Sequence, residues 1–143
     1  MVETITNRAI ANISDLENDC PEYVNAPILD IVIFQGLRES IGDDLLFSDL
    51  ITIYLGSAED LIEAIQSAFI AQNAPAFSRA SHTLKSTSAS IGAIKLSEIS
   101  RFFEKKSNTG LIAIAPELLN HLISEYDRAI AEIRMFVLKS MAE

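Results

Sequence analysis

Apolar residues return at steps of three, four and seven along most of this chain, the spacing of one buried face on an α-helix. The stretch 76–91 carries Phe77, Ala80, Leu84 and Ile91, with small Thr87 and Ser88 in the turn between. Downstream, Leu96, Ile99 and Phe103 share a face of a helix predicted from Lys95 to about Ser107, which Asn108-Thr109-Gly110 ends. A last helix starts near Pro116 and runs through Leu118, Leu122, Tyr126, Ile130, Ile133 and Val137. Its roughly 26 residues would reach about 39 Å, enough to span a bundle.

Turn and cap residues divide the earlier chain. Asp30 is placed to cap a helix from Ile31 to about Ser40, closed by Gly42. Its opening run Ile31-Val32-Ile33-Phe34 favours a strand by propensity, but no second strand exists to pair with it, so helix is expected. Asp43 and Asp44 open a helix through Leu46, Leu50, Ile53 and Tyr54, which Gly56-Ser57 is expected to interrupt. Ser57 and Asp60 then have the spacing of a capping box for a further helix carrying Leu61, Ile65, Ala68 and Phe69. Asn73 and Pro75 mark the start of the next one, and Gly92 its left-handed stop. Before residue 30, Ile5, Ile10, Ile13 and Leu16 suggest one more amphipathic helix, ended by Asp19-Cys20-Pro21, with a loose arm as the alternative. The expected fold is all-α: an antiparallel four-helix bundle over residues 30–143, preceded by an additional N-terminal helical segment in residues 1–29.

Composition narrows the function. The 143 residues suit one domain, and 49% apolar content suffices for a core. No apolar run is long enough to span a membrane and no signal peptide is visible, so no membrane insertion and a cytoplasmic location are the default expectations. Cys20 is the single cysteine, which rules out an intramolecular disulfide. A net charge of −9 argues against nucleic acid. The charge is uneven, however. Between Ala74 and Asn108 six cations face two acids, a net +4, while the remainder holds five cations and eighteen acids, a net −13. Such a basic island suits an acidic partner surface.

Within that island lies Ser81-His82-Thr83-Leu84-Lys85-Ser86. His82 falls about 200° around the helix from Leu84 and from Ala80, so it points outward. Arg79, Lys85 and Ser86 lie three or four residues away and share its face. A neutral imidazole offers one nucleophilic nitrogen near pH 7, a nearby ammonium can pair with an incoming anion, and a short neighbour leaves access. Those features suit the carriage of a phosphoryl group.

His82, Leu84, Lys85, Gly92 and Ala93, followed by Leu96 and by Glu104 22 residues after the histidine, resemble the histidine-containing phosphotransfer (HPt) family. That family's pattern is approximately His-x-Leu-Lys-Gly-x-x-x-x-x-Gly-Ala, and Ser86 replaces its first glycine here. The resemblance covers about 30 residues in motif and about 110 in helical layout. It implies that His82 accepts a phosphoryl group, that Lys85 pairs with its oxygens and that Glu104 orients the imidazole. It also implies receiver domains of response regulators and hybrid histidine kinases as partners, with aspartyl phosphates as donor and acceptor. Arg79, Ser86, Ala89, Arg101 and Lys105 are the expected partner-contact positions. No intrinsic cofactor or metal is expected, and Mg²⁺ should arrive with the receiver. No nucleotide-binding loop is present, so autonomous kinase activity is not expected. His121 and Cys20 read as structural, and Glu104 could alternatively pair with Arg101 or Lys105. The competing function is a helical adaptor that binds receivers without chemistry, a reading supported by Ser86 alone. A free-standing carrier and a piece of a larger sensor kinase both fit.

Overall fold

Among residues 10–142, which the computed structural model describes, the chain forms seven α-helices and no strand. Two are short: α1 (Ile13–Asp19) and α2 (Pro21–Asn25). Then follow α3 (Ile31–Ile41), α4 (Asp44–Ala71), α5 (Ala74–Ile91), α6 (Ile94–Lys105) and α7 (Glu117–Ala142). The last four make the bundle. Each packs on the next in chain order, and α7 closes back onto α4.

Polar caps set most of the boundaries. The Asp30 carboxylate accepts from the Ile33 amide at the head of α3, and Asp43 accepts from the Leu45 and Leu46 amides at the head of α4. The Asn73 side chain accepts from the Ala76 amide, and Pro75 occupies the first turn of α5, where its missing donor costs nothing. Gly92 ends α5 at φ +93°. A Cβ there would stand 2.8 Å from the Asp30 carbonyl oxygen, so only glycine lets the α5–α6 turn meet the start of α3. The Asp30 amide donates to the Gly92 carbonyl across that junction at 2.7 Å.

Two expectations are corrected. Gly56-Ser57 does not break the chain, because α4 is continuous over 28 residues. Its buried stripe Phe47, Ile51, Tyr54, Ala58, Ile62, Ile65 and Ala68 runs unbroken past Gly56. A glycine inside a helix costs only about 1 kcal/mol, which burial of such a stripe outweighs. Leu46, Leu50 and Ile53 are accordingly not core residues, being 59%, 36% and 68% exposed. The N-terminal helix is also shorter than expected. It starts at Ile13, where the Asn12 and Asp15 side chains form a reciprocal capping box, and Pro21 ends it only by starting α2. Ile5 lies outside the described residues.

Residues 10–29 pack on the bundle. The Ala11 amide donates to the Ala113 carbonyl at 2.9 Å, and the Ala115 amide returns a bond to Ala11 at 2.7 Å. Leu16, Tyr23 and Leu29 are buried. The Tyr23 hydroxyl donates to the buried Glu125 carboxylate at 2.5 Å, and burial followed by that carboxylate pushes the phenol pKa far up. Lys95 turns inward to donate to the carbonyls of Tyr23, Val24 and Ala26. It is therefore a structural lysine, and no longer counts toward the basic surface.

Candidate functional site at the α5–α6 seam

Small side chains bring α5 and α6 together. Ala93, Ser97, Ser100 and Ser107 recur at helical spacing along α6 and just beyond its ends, and all four are buried. Ser81 is buried on α5. The distance between packed helices follows the size of the side chains at the contact, so such stripes permit a close approach. The Ser97 hydroxyl donates to the Lys85 carbonyl at 2.8 Å. Phe77 and Phe103 stack at 5.6 Å between centroids at one end of the seam. On the other flank of α5, Ser88 is hydrogen-bonded to the Tyr54 hydroxyl at 2.7 Å, a phenol that burial pushes up to about 12.

Glu104 occupies the one position of the α6 stripe that carries a long side chain. At the rim of the seam its two oxygens divide between two partners. Oε2 lies 2.7 Å from His82 Nδ1, and Oε1 accepts from Lys85 Nζ at 2.7 Å. Burial alone would raise the Glu104 pKa, but the bonds from Lys85 and then His82 outweigh it and hold the carboxyl below its ordinary value. The His82 side chain remains 58% exposed against 21% for Glu104. A carboxylate only accepts hydrogen bonds, so the neutral imidazole carries its proton on Nδ1 and keeps the Nε2 lone pair free. One nitrogen is held and the other is offered to solvent.

The depressed Glu104 pKa sets a pH dependence. This carboxylate's stabilising contribution should be fully present above its ordinary pKa near 4.5 and be lost as pH falls through the lower folded-state value. Denaturant titrations of the wild type and Glu104→Gln should therefore show a stability gap at neutral pH that closes in acid.

Arg79, Ser86 and Ala89 are exposed on the His82 face of α5. Arg101 does not reach Glu104. It turns to Glu98 with bonds of 2.6 and 3.1 Å, and with Lys105 it lines a small cleft against Cys20 and Glu22. Of the six cations in the island, Lys85 and Arg101 are thus paired with acids, Lys95 is turned inward and Lys106 lies over the Phe102 ring, while Arg79 and Lys105 are exposed. Ser81 and Ser97 were not anticipated as site-building residues. Their signal was the helical spacing of small residues on the two facing stripes. Among the described residues no group of three or more His, Cys, Asp or Glu side chains is arranged to hold a metal ion, and no helix is long and apolar enough to cross a membrane.

Comparison with known proteins gives the same frame. The crystal structure of histidine-containing phosphotransfer protein B from Pseudomonas aeruginosa PAO1 matches with a TM-score of 0.72 at 22% identity, covering 80% of this chain and 98% of that one. At that identity the likeness bears on the fold. No curated protein matches the sequence. The family profile of the Hpt domain matches residues 49–132, more than half of the chain and all of the α5–α6 seam. The chain therefore belongs to the Hpt domain family, and its role is phosphoryl transfer in a His–Asp phosphorelay.

Proposed function

We propose that His82 is the phosphoacceptor, taking a phosphoryl group from a receiver-domain aspartate and passing it to the aspartate of another response regulator. The observation that carries this reading is the Glu104 bridge, which fixes His82 Nδ1 at 2.7 Å and leaves Nε2 without a partner among the described residues. In the forward step the Nε2 lone pair attacks phosphorus in line, an N–P bond forms, and the acyl-phosphate P–O bond breaks with its electrons leaving on the aspartate carboxylate. The ring becomes cationic while Nδ1 keeps its proton, and Glu104 faces that charge. Passage to the next receiver reverses these events.

Lys85 neutralises Glu104 in the resting site and would share its ammonium with the arriving phosphoryl oxygens as a point charge. Ser86 and Ala89 leave clearance beside the ring, and Arg79 supplies a partner contact on the same face. Arg101 and Lys105 would meet a partner only at the neighbouring cleft. Mg²⁺ would be held by the acidic pocket of the receiver and arrive with it. Transfer without any nucleotide, as a phosphocarrier and not a kinase, is the corresponding activity.

Hydrogen bonds to charged groups contribute about 1.5–3 kcal/mol. If the Glu104 contact is realised in the transition state, Glu104→Ala should slow transfer by about 10–100-fold. Glu104→Gln, which keeps an acceptor for Nδ1–H, should lose less. Single-turnover transfer from a phosphorylated receiver measures both, and equal rates for Glu104→Ala and the wild type would remove Glu104 from the mechanism.

The reading is tested by incubating the protein with several phosphorylated receiver domains. Label that is acid-labile and base-stable supports it. Receiver binding with no label on the folded protein would favour the adaptor instead, with Ser86→Gly the next variant to make.

A further inference from the structure

The bundle has a second seam that phosphoryl transfer does not use. Because the four helices pack in ring order, the α4–α7 seam lies opposite the α5–α6 seam that holds His82. It opens into a groove of about 490 Å³. Leu55, Ile62, Ile123 and Ile130 make its apolar floor, and all but Ile62 are only half-buried. Gly56 widens it. A Cβ at that position would meet nothing within 4 Å, so the groove exists partly because a side chain is missing from mid-helix.

The rim is acidic. Glu59 and Glu63 stand one turn apart on the α4 wall, with Asp127 on the α7 wall, against the single cation Arg134. All three carboxylates are exposed, and none has an ion-pair partner among the described residues. Tyr126 ties the two walls together. Its hydroxyl donates to the Leu55 carbonyl at 2.8 Å, and its pKa is raised by burial and then by Glu59 and Asp127. Unpaired carboxylates on both walls of an apolar trough repel phosphates and nucleic acid and attract cations. Single cations would leave the apolar floor in water.

We propose that the α4–α7 groove docks a basic amphipathic helix from a partner protein. Such a helix lays an i, i+3, i+4, i+7 apolar stripe along the floor and sets flanking lysines or arginines against Glu59, Glu63 and Asp127. The groove leaves His82 free, so the two surfaces can be occupied together, one by a receiver and one by this helix.

The probe is a capped 14-residue leucine/lysine peptide with a helical stripe, titrated into the ¹⁵N-labelled full chain and followed by amide chemical shifts. Its control is a permuted peptide of identical composition without the stripe. The expected shifts cluster at residues 55–66 and 123–134, and the permuted peptide binds at least tenfold more weakly. Gly56→Leu fills the groove at a position with open space and a better helix former, so it should cost at least tenfold in affinity without loss of stability. Glu59→Lys/Asp127→Lys should do the same by reversing the rim charge. Absence of binding, shifts centred elsewhere, equal binding of the permuted peptide, or no effect of either variant would overturn the proposal.

Discussion

Replacing His82 by glutamine should abolish phosphoryl acceptance while leaving the fold intact. The side chain is 58% exposed and contributes no core contact, so the stability change should stay within about 0.5 kcal/mol. Glutamine can still donate to the Glu104 carboxylate, which limits disturbance of the bridge. It has no nucleophilic nitrogen, because the amide lone pair is delocalised into the carbonyl. Acid-labile label from a phosphorylated receiver should therefore fall to background, with circular dichroism and melting temperature unchanged. Label persisting at wild-type level would move the acceptor elsewhere, and the only other histidine is His121, half-buried on α7.

The second large effect is on stability. Gly92→Ala should destabilise the protein by about 2–4 kcal/mol, from left-handed backbone strain together with overpacking. The residue sits at φ +93°, and its new Cβ would meet the Asp30 carbonyl oxygen at 2.8 Å and Ile33 Cβ at 3.4 Å. That oxygen is backbone and already accepts from the Phe34 amide, so it cannot give way cheaply. Relief requires the head of α3 to move off the α5–α6 turn, straining the bond from the Asp30 amide to Gly92. Urea unfolding should show a lower midpoint at an unchanged slope. A wild-type midpoint would mean that the junction is looser than its 2.8 Å approach implies.

The parts of this architecture written into local sequence were legible. Asp30, Asp43 and Asn73 are caps whose chemistry acts within three residues, and the positive φ of Gly42 and Gly92 needs no knowledge of the rest of the chain. Failures came where tertiary packing overrode local preference. Gly56-Ser57 looks like a break only until the buried stripe from Phe47 to Ala68 is seen to pass through it. Leu46, Leu50 and Ile53 mimic a core stripe, but Phe47, Ile51 and Tyr54 beside them are the residues that face the bundle. Lys95 reads as a surface cation because nothing local reveals that three carbonyls of α2 and its end surround it.

The candidate site divides along the same line. Outward-facing His82, with Lys85 one turn on, follows from helical periodicity within one segment. The distance between Glu104 and His82 depends on how closely α5 and α6 approach, which is set by Ser81, Ala93, Ser97 and Ser100. Small residues at helical spacing carry that information, although in a single sequence they look like ordinary filler. Arg101 shows the limit of counting charges, since its partner is Glu98 three residues back and not the acid at the site.

Locating the phosphoryl group atom by atom tests the role of His82 outright. Protein with ¹⁵N-labelled histidine, charged by a phosphorylated receiver, would be examined by ³¹P and ¹⁵N NMR at alkaline pH, where phosphohistidine persists. Phosphorus should be bonded to Nε2 of His82, with Nδ1 still protonated and hydrogen-bonded to Glu104. Phosphorus on Nδ1, on His121 or on no histidine would contradict that assignment.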